Sequence, residues 1–286
     1  MELITSMLSF ALITLLGVLG TYLLTGLTGL FSFGQAAFMA IGAYVSGILV
    51  INYHLPFLVA VLGGVVIGTV CALLIGIPTL RLSRDFFSLI TFGFGEAVAG
   101  LLNYFVNFTG GAMGLVGIPN YTELWMVLAS TIAVIWMVRN FKVTKFGRQC
   151  MALKTDELAA AAIGINVYRV KLLVFVLSAV ITAYAGALYG FLTSYVEPAM
   201  FGWTKSAEWV IMVFFGGVNS LTGAIVSGTL LTILPEFLRF AADWRIAIYC
   251  AIIVVLLNFR PAGLFGEYEL SFRRKRKTTP RAPAQR

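Results

Sequence analysis

The acids, bases and thiols are few, and their positions limit what chemistry the chain could run. Twelve Asp and Glu share 286 residues with one histidine, His54, and three cysteines, Cys71, Cys150 and Cys250. A single histidine cannot build a histidine metal site or serve a nucleophile with an oriented base, and cysteines this far apart make no metal spacing and no disulfide framework. His54 reads as a loop residue. Gly93 and Gly95 in "TFGFGE" echo a nucleotide loop, but they lie in an apolar run and no GxxxxGK[ST] occurs anywhere. The chain therefore has no ATPase motif of its own and reads as a non-enzyme. Glu96 follows those glycines, about ten residues into the run that starts near Asp85. A carboxylate there either serves a polar path or is a hydrogen-bonded acid that holds two helices together. Glu208 and Glu236 lie nearer the ends of apolar runs, where anchors at the membrane interface are the simpler reading.

Two further stretches place neutral polar groups among small residues. Ser32 and Gln35 precede Ala36, Ala37, Ala40, Gly42 and Ala43, and "FFGGVNSLTG" carries Asn219, Ser220 and Thr222. Small residues let helices close up, which accounts for both stretches as plain packing. The other reading is a broken-helix lining that offers hydrogen bonds to a polar solute. Hydroxyls, amides and backbone without strong net charge suit a zwitterion, and suit urea or a short amide equally well.

The elements that must position these residues follow from composition. Hydrophobic residues make up 60% of the chain and charged ones 11%, against about 25% charged in a soluble domain. Such a chain cannot cover a water-facing surface, and its continuous apolar runs of about 20 residues select helices rather than a barrel. Runs at about 4–25, 33–52, 57–80, 86–107, 122–139, 171–192, 206–218, 220–237 and 245–260 predict an all-α bundle of eight to ten spans. Residues 1–270 form this membrane domain. With no basic residue before the first run, 4–25 reads as a retained span rather than a cleaved leader.

Seventeen of the twenty lysines and arginines fall in three groups: Arg81 with Arg84, Arg139 through Lys171, and Arg260 through Arg286. Two apolar runs separate the first group from the second, and four separate the second from the third. All three can share one face, which the positive-inside rule makes cytoplasmic, with Met1 outside. Residues 271–286 read as a basic, disordered cytoplasmic tail. Its "RRKRK" (273–277) is a topological anchor more readily than a ligand for anionic lipid or nucleic acid.

The longest polar interval contains "LKTDELAAAAIGINVYRVK" (153–171). Thr155 can cap a helix whose first turn carries Asp156 and Glu157, where acids complement the dipole. Leu158 to Ile163 supply a narrow apolar face built mostly of alanine, Ala159, Ala161 and Ala162 among them, Gly164 suits a left-handed stop, and Asn166 can cap the span that follows. Eight residues are too few to be stable alone in water, so something must pack on this helix. The headgroups or the bundle itself could do so. An alanine face, however, favours close docking of a partner over burial in lipid, where bulky side chains are the rule.

This stretch resembles the "EAA…G" coupling loop of ABC importer permeases, which docks onto an ATP-hydrolysing subunit. The chain from about 26 to 266 resembles the branched-chain amino-acid permeases, the LivM-like member of the pair. The matching segments keep the family's order: "GLTGLFSFGQAAFMAIGAY", "RDFFSLITFGFGE", "TGGAMGLVGIP", "ALKTDELAAAAIGIN", "VKLLVFVLSAVITAYAGALYG", "VFFGGVNSLTGAIVSG" and "RPAGLFG". Met113 and Asn219 depart from the family's usual residues, and "DELAAAA" matches its pattern loosely. The resemblance implies an inner-membrane permease whose coupling loop lies at about 140–170, with Thr155, Asp156, Glu157, Ala159, Ala161, Ala162 and Gly164 at the ATPase contact. It implies a homologous second permease, two cytoplasmic ATP-binding subunits that carry the ATP, and an extracytoplasmic solute-binding protein. Ser32, Gln35, Glu96, Asn219 and Ser220 are then candidates for the solute path. The expected solute is a branched-chain or related amino acid. The alternatives are an ABC permease for urea or short amides, and an ion-coupled carrier with Glu96 as its coupling acid.

Overall fold

The structure is a computed structural model and describes residues 2–237, 244–260, 262–266 and 268–269. The expected tail and its "RRKRK" lie outside the described residues, as does the side chain of Glu236. The chain forms α1 (Glu2–Thr28), α2 (Gln35–Tyr53), α3 (Phe57–Thr79), α4 (Arg84–Tyr104), one-turn α5 (Val106–Thr109) and α6 (Leu124–Val143). It continues with α7 (Lys145–Thr155), α8 (Glu157–Ala162), α9 (Val167–Thr193), α10 (Trp203–Gly216), α11 (Leu221–Phe237) and α12 (Arg245–Phe259). Every expected apolar run is helical. Among the described residues, six helices, α1 to α4, α6 and α9, are long and apolar enough to cross a membrane; α10, α11 and α12 are shorter. A two-residue antiparallel ladder, β1 (Leu115–Val116) with β2 (Tyr195–Val196), lies at one end of the bundle.

α1, α2 and α9 form the centre, and α3, α4 and α6 stand outside it with most of their surface uncovered. The centre is tight because its helices touch through small residues. A Cβ added to Gly42 would lie 1.9 Å from the Ala183 carbonyl oxygen, and one on Gly186 would lie 1.9 Å from that of Met39. The small residues after Gln35 are therefore packing residues. On α1, Gly17 takes the Trp209 ring and Gly20 accepts a 2.6 Å hydrogen bond from Ser178 Oγ.

Between α1 and α2 the chain bends back into the bundle as residues 29–34. Phe33 and Gly34 lie against Thr91, about two turns along α4, and Gln35 lies against Thr182, about four turns along α9. Non-helical backbone at that depth must be covered by protein and have its polar groups satisfied. Hydroxyls from neighbouring spans do this: Thr25 donates to Leu30 O, Ser88 donates to Phe31 O, and Thr91 accepts from Phe33 N. Ser206 accepts from Ala36 N at the start of α2.

Candidate functional site

The charged groups converge on one end of the bundle. Arg84 begins α4, Lys142 ends α6, Lys171 lies early in α9, and all three reach acids or carbonyls contributed by other elements. Lys142 pairs with Glu269, which brings the segment after α12 to the same end. Arg84 of the first basic group and Lys142, Lys154 and Lys171 of the second thus share one end, as their spacing predicts, while the third group beyond Arg260 lies outside the described residues.

The polar interval folds as two helices where the sequence predicts one. Gly147, Cys150 and Leu153 recur every third residue and form the buried face of α7, whose start is capped by Thr144 Oγ1 accepting from Gly147 N. Burial pushes the Cys150 thiol up to about 12, so it is an inert core group rather than a reactive one. α7 runs through Thr155, whose hydroxyl donates to Met151 O at 3.1 Å. The expected cap at Thr155 is therefore corrected by one position. Asp156 caps α8, accepting from Leu158 N at 2.8 Å and Ala159 N at 3.1 Å. Asp156 wins because its extended backbone (φ −155°) breaks α7, while its short carboxylate reaches both free amides.

The rest of the unit matches its sequence signals. Gly164 takes φ +84° after α8, and Asn166 Oδ1 accepts from Arg169 N at the start of α9. α8 buries Ala160 alone among its residues; Ala159, Ala161, Ala162 and Gly164 are exposed. The exposed side runs from Leu158 to Ile163 and is built mostly of alanine, as the sequence suggests. Leu158 is 83% exposed and Ile163 75%, so two bulky apolar groups flank the alanines. A six-residue helix has under two turns, too few to read a face from periodicity.

Three residues tie this unit to three spans and to the turn between α10 and α11. The Leu153 carbonyl accepts from Arg84 Nη2 at 2.8 Å, at the start of α4. Lys154 Nζ donates to Gly26 O near the end of α1, and to Asn219 Oδ1 in the turn between α10 and α11. Glu157 accepts from Arg84 Nε at 2.8 Å and from Lys171 Nζ at 2.7 Å. Burial raises the Glu157 carboxyl, but the hydrogen bonds and charges of Lys171 and Arg84 outweigh it and hold the group below its ordinary value. Glu157, expected to complement a helix dipole and to lie at the ATPase contact, turns its carboxylate to the bundle as a bridging ion between Arg84 and Lys171.

The other singled-out residues do not meet in one place. Ser32 and Gln35 are fully buried; Ser32 Oγ accepts from Gly34 N, and Gln35 Oε1 accepts from Thr182 Oγ1 at 3.4 Å. Asn219 and Ser220 belong to the charged end. Ser220 Oγ accepts from Gly223 N at the start of α11 and donates to Tyr268 O at 2.6 Å. Glu208 pairs with Lys205 one turn away at 2.9 Å. Glu96 is exposed on the outer side of α4, with Gly93, Ala97 and Gly100 around it, and among the described residues nothing lies within 4 Å of a Cβ added to either glycine. The neighbouring outer face of α3 carries Val66, Ile67, Val70, Leu73 and Leu74 instead. Along α4, between Asp85 and Phe92, runs a groove of about 370 Å³ bounded by Phe33 and Trp203.

The family described as "Branched-chain amino acid transport system / permease component" matches residues 3–257. The chain is 28% identical over 280 residues to the high-affinity branched-chain amino acid transport system permease protein LivM of Salmonella typhimurium, covering 86% of this chain and 66% of that one. The LivM protein of Escherichia coli gives the same figures, so the chain spans just under two-thirds of the length of these relatives. The LivH permease of Escherichia coli is 26% identical over 282 residues, covering 88% of this chain and 91% of that one. No solved structure matches the chain.

Proposed function

Because the chain belongs to the branched-chain amino acid transport system permease family, we propose that it is the permease subunit of an ABC importer for branched-chain or related amino acids. It works in the inner membrane beside a second, homologous permease. Two ATP-binding subunits dock at its charged, cytoplasmic end, and a solute-binding protein docks at the opposite end. ATP stays on the partner subunits. The observation that carries this reading is α8: a short helix anchored through Glu157 to α4 and α9, yet presenting Leu158, Ala161, Ala162 and Ile163 outward. Apolar side chains held rigidly away from the bundle suit a protein cleft. The test is co-purification of the ATP-binding subunits with variants that alter only this outward side.

The outer face of α4 supports a place for the solute path. A carboxylate at that depth is costly against lipid, whereas α3 beside it offers lipid only aliphatic groups. Glu96 with its flanking glycines therefore faces the second permease or water, and the solute passes on that side. Ser32 and Gln35 reach a solute only if the 29–34 segment opens, and Asn219 and Ser220 only at the cytoplasmic exit. The same inventory suits urea or a short amide, and binding-protein specificity separates these solutes.

A further inference from the structure

We propose that Glu157 is the joint through which the docked helix moves the bundle: one carboxylate couples displacement of α8 to α4 and α9 together. This rests on the docking role proposed above for α8. The geometry has three parts. First, α8 buries only Ala160, so little apolar surface holds it to the bundle, and its grip is the pair of ionic contacts from Glu157 to Arg84 and Lys171. Second, Arg84 opens α4 and Lys171 is the fifth residue of α9, so the positive end of the dipole disfavours Arg84 and, more weakly, Lys171. Lys171 is also 96% buried, judged from its 4% exposure, and a buried ammonium needs a charged partner. Glu157 offsets both penalties at once, and a neutral residue there would strand Lys171. Third, the two anchored helix starts lead directly into packed rings. Phe87, one turn beyond Arg84, meets Phe175, one turn beyond Lys171, edge-on at 5.5 Å. Phe175 in turn meets Phe38 of α2 at 5.6 Å, just beyond the point where the 29–34 segment joins α2. Close-packed interiors transmit displacement rather than absorbing it. A shift of α8 therefore reaches the centre of the bundle through a carboxylate and three rings.

The test uses the assembled transporter in vesicles, with radiolabelled leucine and the cognate binding protein. Glu157→Gln keeps the shape and removes the charge. With the ATPase still bound, leucine taken up per ATP hydrolysed should fall about tenfold, the scale of a typical coupling between sites. Glu157→Asp should recover part of that ratio. The double change Glu157→Gln with Lys171→Met should be no worse than the poorer single variant, since both act at one joint. If Glu157→Gln lowers accumulation of the protein, Glu157→Asp and Lys171→Met read the same ratio. A wild-type ratio in Glu157→Gln overturns the joint, and so does loss of the ATPase, which would make Glu157 a seating residue. Failure of the docking role itself reads out separately, as an ATPase still bound to Ala162→Trp.

Discussion

Gly42 and Ala183 bring α2 and α9 into backbone contact: a Cβ on Gly42 would lie 1.9 Å from the Ala183 carbonyl oxygen. Neither side of that contact can yield as a side chain can. Gly42→Val should therefore cost about 3 kcal/mol or more, the upper range for overpacking a core, and the protein should fail to accumulate in the membrane. Gly93→Ala, where the same added atom meets nothing, should accumulate normally. Quantitative blotting of membranes checks both.

Much of the bundle was legible because lipid leaves few options. Apolar runs of spanning length had to be helices, and the grouping of Arg81, Arg84, Lys142 and Lys171 located their shared end. Gly164 and Asn166 were legible as a stop and a cap because few other residues fit those backbone positions. Depth was not legible. Ser32 and Gln35 read as polar groups in an apolar run, but their burial depends on where residues 29–34 turn back, which only the packing against Thr91 and Ser206 decides. Thr155 and Asp156 are adjacent and both able to cap, so the choice needed the length of α7. The bridge from Glu157 joins residues 73 and 14 positions away and leaves no local pattern.

The charged end should face the cytoplasm. In a variant whose three cysteines are replaced by alanine, Ala199→Cys should react with an impermeant thiol reagent added to intact cells, and Thr155→Cys should not. Ala199 is the better probe at the outer end because the neighbouring Pro198 is buried. Labelling at position 155 from outside would reverse the orientation.

Glu96→Gln should lower leucine uptake by roughly an order of magnitude while the complex assembles normally, as expected of an ionisable group on a path. Uptake and assembly lost in step would make Glu96 a structural acid at the contact with the second permease.

The Glu157 bridge also fixes the sign of a pH effect. Its carboxyl is held below the ordinary value, so the stabilisation is present above that value and disappears only as pH falls through the lower one. Uptake per ATP should therefore stay level as pH falls from neutrality toward the ordinary Glu range near ~4.3, and should decline only below it. Vesicles with a fixed internal buffer measure this ratio. A decline already near neutrality would contradict the bridge.

Gly164→Val should test the elbow apart from the docking side. The space beside Gly164 is open, so the penalty is backbone strain alone, about 1–2 kcal/mol at this left-handed position. The protein should reach the membrane with weakened ATPase retention, read by pull-down at increasing salt. Retention equal to wild type would show that the elbow angle is unimportant.

The account turns on whether the outward side of α8 is a docking surface. The most direct measurement is the amount of ATP-binding subunit that co-purifies with Ala161→Trp and Ala162→Trp, both at exposed positions where added bulk leaves the bundle untouched. The account predicts normal membrane accumulation with loss of the ATP-binding subunit and of ATP-driven leucine uptake. Full retention with coupled uptake in both variants would contradict it.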